Sequence, residues 1–486
     1  VLCGVQVVDV LGVTVVITAL PQMLATLRAS PAMAGVVATS YAMSFGALLM
    51  LGARLGDRFG HRRVLLAGLA LFATASAMVG AAPSLTILVA GRCLQGVAAA
   101  ASVPASLRVL SATAVDENER RRALGAWSAA GAAAGASGLV VGGVLTSLVG
   151  WRAVFLLNLP VALALAVMVV RTVPERSRTA RMGLDGLGAL LLTGALMGVI
   201  LGAALVQEPR SRWIGVGLVG CGVALAVLFA IAQRFAREPL IPRAAVRERR
   251  LRTGAGAAFL NTATTSSVIT LATLYLQDKR HLAPAAAGIE LLPFSLCVVV
   301  GATLAGRTLW RGEPAARLAA GLGLIAVADA TTMLTSRAAV LLPVSVAIAG
   351  LGIGVSSVAA TTIGTDVSDD LKGAAAGILN TAAQLGTALG VSAAVLLAGV
   401  TQHADLPLHG TMLSWALAAV VAAGGALRFT SLRRPPRRPE AEADGLAGWP
   451  PKRRRSERAR AGRQGSGAPR STRRPRAGPW RWQQGR

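Results

Sequence analysis

Long apolar runs, one after another and parted only by short charged breaks, constrain this chain more than any other feature. The runs at about 32–53 and 64–82 are each long enough to cross the roughly 30 Å hydrocarbon core of a bilayer. Lipid offers no partner to a free backbone group, so a spanning segment must be a helix or part of a closed barrel. A barrel needs short alternating strands, and these runs are continuous and longer. Of the 486 residues, 54% are apolar and only 15% are charged, against about a quarter charged in soluble domains. The expected fold class is an all-α polytopic membrane protein.

Window counting gives about fourteen spans. The first six lie near 3–26, 32–53, 64–82, 85–110, 123–148 and 153–171, followed by 184–206 and 213–233. The last six lie near 253–276, 285–306, 317–336, 338–364, 374–400 and 410–430. Cations crowd alternate breaks: Arg58, Arg62 and Arg63, the 116–122 loop, 171–181, 234–252, 307–317 and Lys372. The opposite breaks hold few, namely Arg28, Arg152, Arg210, Arg212, Lys279, Arg280 and Arg337. This asymmetry puts the first set, and with an even count both termini, in the cytoplasm of a cell (inner or plasma) membrane. The net charge of +27 follows largely from this topology, and nucleic acid is not an expected partner. The chain has no initiator methionine and its first span begins at once, so residues ahead of Val1 are expected; no cleavable signal peptide is read.

A weak repeat divides the chain. Thr113-Ala-Val-Asp-Glu-Asn and Thr365-Asp-Val-Ser-Asp-Asp open corresponding spans; at the same offset Gly125 pairs with Gly377 and Asp9 with Asn261. Two six-helix halves follow, 1–172 and 253–432, with a helix pair and its linkers inserted at 173–252. Parallel halves of this kind mark transporters whose substrate site lies at their interface near the midplane. The segment 433–486 is rich in Arg, Pro and Gly, cannot build a core and reads as a basic disordered tail; Lys452-Arg-Arg-Arg455 could touch anionic lipid.

Polar side chains inside spans are costly and are functional candidates by default. Asp9 lies in the first span, Arg92 in the fourth and Asp329 in the eleventh. Thr14, Gln95, Asn261, Asn380 and Gln384 are the uncharged candidates for a substrate cavity, with a helix–helix hydrogen bond as the competing reading of each amide. Cys3, Cys93, Cys221 and Cys297 fall inside apolar runs and read as free thiols. No loop carries a nucleophile–base pair or a metal cluster, so neither an enzyme nor a metal site is expected. Glu290 reads as a solvated end residue.

Several stretches resemble the major facilitator superfamily. Gly52-Ala-Arg-Leu-Gly-Asp-Arg-Phe-Gly-His-Arg-Arg63 is similar to its loop between helices two and three, with Leu55, Asp57, Arg58, Gly60 and Arg62 matching, Ala53 for a glycine and His61 for an arginine. Arg92-Cys-Leu-Gln95-Gly96 matches its fourth-helix pattern. The fifth span resembles the antiporter motif at Gly125, Gly138, Gly142 and Gly143, with Leu139 where the proline belongs and Ala134 where a glycine belongs. Gly150-Trp-Arg-Ala-Val-Phe-Leu-Leu-Asn-Leu-Pro160 looks like the signature of the fourteen-span drug:proton antiporters and is the most specific match. Leu184-Asp-Gly-Leu-Gly188 and Gly377-Ile-Leu-Asn-Thr-x-x-Gln-Leu-Gly386 are similar to that family's spans seven and thirteen. In the first span Thr14, Ala19, Leu20 and Pro21 match, but Gly12 takes the place of an aspartate and Ile17 that of an asparagine.

The resemblance covers about residues 1–430. It implies export of small amphipathic drugs or antibiotics by proton-coupled antiport through alternating access, in a monomer, with no cofactor beyond the proton gradient. Asp9, Arg92 and Asp329 are then the proton-coupling groups, with Asp9 three residues, about 4.5 Å, from the family's position. Asp57, Arg58, Gly60 and Arg62 form a conformational latch. A proton-independent facilitator or uptake carrier of the same fold, and a non-transporting membrane sensor, are the alternatives. Accumulation of a fluorescent cationic dye with and without an uncoupler separates them.

Overall fold

With no water in the hydrocarbon to bond its amides, each apolar run closes its own hydrogen bonds as a helix. The structure, a computed structural model, describes residues 1–113, 116–174, 183–306, 313–333, 341–368, 371–400 and 410–431. The first half runs α1 (Leu2–Thr26), α2 (Ala34–Phe59), α3 (His61–Gly80), α4 (Leu85–Thr113), α5 (Glu117–Val149), α6 (Trp151–Leu156) and α7 (Asn158–Thr172). Next come α8 (Gly186–Val206), α9 (Arg212–Phe235) and the short α10 (Arg243–Arg247). The rest is α11 (Arg249–Leu274), α12 (Pro284–Glu290), α13 (Leu292–Gly306), α14 (Pro314–Thr332), α15 (Leu341–Gly364), α16 (Lys372–Val400) and α17 (Gly410–Ser431). No strand occurs among the described residues. The tail at 433–486 lies outside them, as do the breaks around Arg176–Arg181, Arg307 and Arg337.

All fourteen apolar runs coincide with helices, α6–α7 and α12–α13 each making one span. Among the described residues, twelve helices are long and apolar enough to cross a membrane, and α5, bent by 42° between Asn118–Gly135 and Ser137–Val149, brings the number to thirteen. α11 has the length, 26 residues, but its middle carries Asn261, Thr262, Thr264, Thr265, Ser266, Ser267 and Thr270, most of them buried. It is held by neighbouring helices, not by lipid.

Two expected loops are helical for most of their length: 116–122, where Asp116 caps α5 and the helix starts at Glu117, and 52–63. The stretch from Gly52 to Arg63, read as a loop, is almost all helix: α2 continues to Phe59 and α3 starts at His61. Charge marks where a helix leaves lipid, not where it stops. The turn is Gly60 alone, whose φ of 97° is open to glycine and strained for a residue with a Cβ.

In the first half α2 and α3 pack on α4, and α1 on α5; in the second, α11 packs on α16, and α13 and α14 on α15. The halves meet where α2 lies along α16 and α5 lies against α12. The inserted pair α8–α9 packs through facing glycines, Gly198 on Gly222 and Gly202 on Gly215, the close approach that stabilises membrane helix pairs. α8 also touches α2 and α16. Arg54 anchors the linkers of this pair. Nearly buried near the end of α2, it donates to the carbonyls of Gly183 (3.4 Å), Glu238 (3.0 Å), Leu240 (3.4 Å) and Pro239. Asp185 completes the joint. Its carboxylate caps α8 at Gly188 N (2.8 Å) and accepts from Leu240 N (2.9 Å) and Gln233 Nε2 (2.5 Å). The 184–188 motif is therefore a cap that also staples two linkers together.

Candidate functional site

Five buried polar side chains of the first half form one chain. Asp9 on α1 is 6% exposed, and Tyr41 on α2, Ser76 on α3, and Arg92 and Gln95 on α4 are 0% exposed. The Tyr41 hydroxyl donates to Asp9 Oδ1. The Arg92 guanidinium lies 4.8 Å over the Tyr41 ring centroid and 5.8 Å from that of Phe155. Arg92 Nη1 donates to the Gly12 carbonyl (2.9 Å) and to Gln95 Oε1 (3.0 Å), and Gln95 Nε2 donates to Ser76 Oγ (2.7 Å). Arg92 Nε and Nη2 have no hydrogen-bond partner among the described residues. The position that faces Arg92 directly is thus Gly12, and Asp9 reaches it through Tyr41. A desolvated cation over an aromatic face gains about 2 kcal/mol or more, which offsets part of the cost of burying the guanidinium.

Motif residues hold this chain in place. Trp151 Nε1 donates to Thr26 Oγ1 (3.3 Å), and Arg152 Nη2 donates to the Ala82 carbonyl (3.0 Å) while lying 4.4 Å over the Trp151 ring. The 150–160 signature so ties α6 to the ends of α1 and α3, and sets Phe155 against Arg92.

The remaining expected site residues are scattered. Asp329 on α14 is fully buried, and among the described residues neither carboxylate oxygen has a hydrogen-bond partner, Asp9 and Arg92 included. Thr14 bonds its own helix at the Val10 carbonyl (3.1 Å) and packs on Gly138. Gln95 is spent on Arg92 and Ser76. Asn261 donates to Ser357 Oγ (2.8 Å), leaving Oδ1 unpartnered. Asn380 and Gln384 are half-buried on α16, with Gln384 pressed on Gly46 of α2 at the seam between the halves.

At the turn after α2, Asp57 Oδ1 sits 3.3 Å from His61 Nε2. Arg58 stacks on Phe59, and Arg62 Nη2 donates to the Val170 carbonyl of α7 (2.9 Å). Of the α5 glycines, Gly138 and Gly142 receive α1, Gly143 meets Pro284 of the other half, and Gly125 faces open space. The bend in α5 forms without the family's proline. Leu139, in the proline's place, is buried with Ile269, Leu276, Leu291, Leu342 and Val346, and Ile17 packs on the same cluster. Two of the departures from the family pattern, Leu139 and Ile17, therefore fall in one apolar plug between the halves, at the end of the molecule bearing Trp151. Three hydrogen bonds cross the same seam: Gln277 Nε2 to the Thr18 carbonyl (2.8 Å), Ala285 N to Ser147 Oγ (3.0 Å) and Ser295 Oγ to the Gly135 carbonyl (3.3 Å). Gln277 projects from a π-helical turn, Tyr275–Lys279, a form of helix often found at functional sites. Beside it burial pushes the Asp278 carboxyl up, and Lys279 and His281 draw it back.

Tyr41, Ser76, Arg54 and Gln277 do not stand out in the sequence. A signal existed for Tyr41: a phenol within an apolar span needs a hydrogen-bond partner.

The model of the Major Facilitator Superfamily matches residues 2–181, 164–391 and 254–476. The puromycin resistance protein pur8 of Streptomyces alboniger is 36% identical over 431 residues, 85% of this chain and 83% of its own. The cephamycin export protein CmcT of Amycolatopsis lactamdurans is 32% identical over 82% of this chain and 84% of its own. The tetracenomycin C resistance and export protein of Streptomyces glaucescens is 33% identical over 78% and 71%. Among solved structures, an auto-inhibited peptide transporter of the POT family superposes with a TM-score of 0.65 at 16% identity, over 89% of this chain and 96% of that one. At that identity the likeness is one of fold.

Proposed function

This chain belongs to the major facilitator superfamily, and from that premise we propose that it exports drug- or antibiotic-like molecules by proton-coupled antiport. It is a multi-pass membrane transporter of small molecules and not an enzyme. The names of its relatives support export as the direction. Support for the proton comes from one observation, the buried Asp9–Tyr41–Arg92 chain in α1, α2 and α4. An acid held inside a span can load and release a proton if the two conformations solvate it differently. Protonation then biases the equilibrium between them, by no more than that difference.

The halves are 1–172 and 253–432, with α8–α9 inserted between them. Their rocking would open the seam closed by Gly143, Leu139 and Gln277 and expose Asp9 to one side in turn. The test is accumulation of a panel of antibiotics and cationic dyes in cells making the protein. Lowered accumulation that an uncoupler restores supports the proposal. Lowered accumulation indifferent to the uncoupler makes it a facilitator.

Both termini are assigned to the cytoplasm. Reporter fusions after Arg433 and at Gln402, both outside the described residues, should report opposite sides; agreement between them would defeat the fourteen-span topology.

Asp57 is assigned to the latch. A partly exposed pair such as Asp57 with His61 contributes about 0.2–1 kcal/mol, so Asp57→Asn should lower transport of every substrate by one common factor of about 1.5 to five. Two unrelated substrates compared side by side check this. A loss confined to one would put the loop in the binding site.

A further inference from the structure

Asp9 and Arg92 do not touch. Arg92 is bound at Gly12, one helical turn along α1, and Tyr41 contacts both side chains. We propose that Tyr41 is the positioning residue that couples Asp9 to Arg92, its hydroxyl reading the charge of the acid and its ring face passing that charge to the guanidinium. The inference rests on the proton reading of Asp9.

The geometry supports this in three ways. The hydroxyl donates to the carboxylate, and the opposite pole of the same ring, its π face, carries Arg92 at 4.8 Å. A phenol that donates to an anion becomes more electron-rich, so its face attracts a cation more strongly. When Asp9 takes a proton that polarisation is lost, and Arg92 is left with Gly12 and Gln95. Tyr41 keeps its own proton throughout, and the transported proton goes on and off the Asp9 carboxylate.

Packing keeps the ring in register. Tyr41 is fully buried beside Phe45 (centroids 6.1 Å apart). α4 presses so closely on its backbone that a Cβ on Gly96 would lie 2.4 Å from the Tyr41 carbonyl oxygen. The ionisable groups around Asp9 are few. Tyr41 comes from α2, and Arg92 with its neighbour Cys93 from α4. α5 offers Gly131, Gly135 and Gly138 to α1, and α7 offers Leu165. Gln277, from beyond α11, bonds α1 at Thr18, and Trp151 of α6 bonds it at Thr26.

Tyr41→Phe removes the hydroxyl and keeps the ring, its packing and its contact with Arg92. The readout needs no substrate: pH-difference infrared spectroscopy of the full-length protein in proteoliposomes, following the protonated-carboxyl band that Asp9→Asn removes. A hydrogen bond to a carboxylate favours the charged form. Its loss in Tyr41→Phe should therefore move the midpoint of that band upward by about one pH unit. The same variant in an Asp9→Gly, Gly12→Asp background, where the acid meets Arg92 directly, should leave the midpoint within a few tenths of a unit. An unmoved midpoint in the first background, or equal shifts in both, overturns the proposal and leaves Tyr41 a packing residue. If Asp9→Asn removes no titrating band, the proton reading fails, and the Tyr41 proposal fails with it.

Discussion

Asp9→Asn is expected to reduce proton-driven export to the level of cells lacking the protein, while substrate binding stays measurable. The exchange is close to isosteric, and the Asn carbonyl can still accept from Tyr41, so the packing of α1 on α2 survives. What is lost is the group that changes charge. Moving the acid offers the converse test. A Cβ on Gly12 meets only Phe72 Cζ, at 3.8 Å, and the Gly12 carbonyl already holds Arg92 at 2.9 Å. The double change Asp9→Gly with Gly12→Asp should therefore recover part of the uncoupler-sensitive export. Normal transport by Asp9→Asn, with a dead Asp329→Asn, would move the proton site to the second half.

Gly143→Leu should cost transport about fivefold or more. A Cβ at this position lies 2.3 Å from the Pro284 oxygen and 2.9 Å from its carbonyl carbon, and backbone cannot turn aside as a side chain can. Close by, Gly288 meets the Leu139 carbonyl at 2.6 Å by the same measure, so the seam is tight from both sides. Overpacking costs roughly 1–3 kcal/mol, about 5- to 150-fold in the population of the closed form. Each half can still fold, because Gly143 makes these contacts only with the other half. Uncoupler-sensitive dye export measures the loss, and faster thiol labelling of a Ser147→Cys reporter measures the opened seam. Gly125→Leu is the control: nothing lies within 4 Å of a Cβ there, and transport should hold. Full activity with Leu at 143 would mean that this seam need not close during transport.

The spans were legible because lipid leaves an apolar run no choice but a helix, and all fourteen runs became helices. What the runs conceal is how polar groups pair across helices. Asp9 and Arg92 could be placed near one another by counting turns, but the residue between them could not. Tyr41 sits in an apolar run where a phenol needs a hydrogen-bond partner, but the run does not say that the partner is Asp9. Arg54 read as one more cation obeying topology. Its carbonyl partners lie 129 to 186 residues further on, and no local pattern announces a contact of that range. Ile17 and Leu139 read as two separate losses from the family's pattern. In space they are neighbours in one cluster, and the second supplies bulk where the proline was expected to supply a bend.

The polar character of α11 bears on how the protein is made. Its Ser and Thr residues leave it short of the apolarity that twelve of its fellows have. The groups on other helices that bond it are Ser357 on α15, 96 residues later, and the Ala383 carbonyl and Thr387 on α16, each 121 residues later. At about 5–20 residues per second, those partners leave the ribosome roughly 5–25 s after α11 does. For that interval the hydroxyls have the carbonyls of their own helix, while the Asn261 amide waits for Ser357. α11 is therefore the span of the second half whose place in the bilayer depends most on helices synthesised after it.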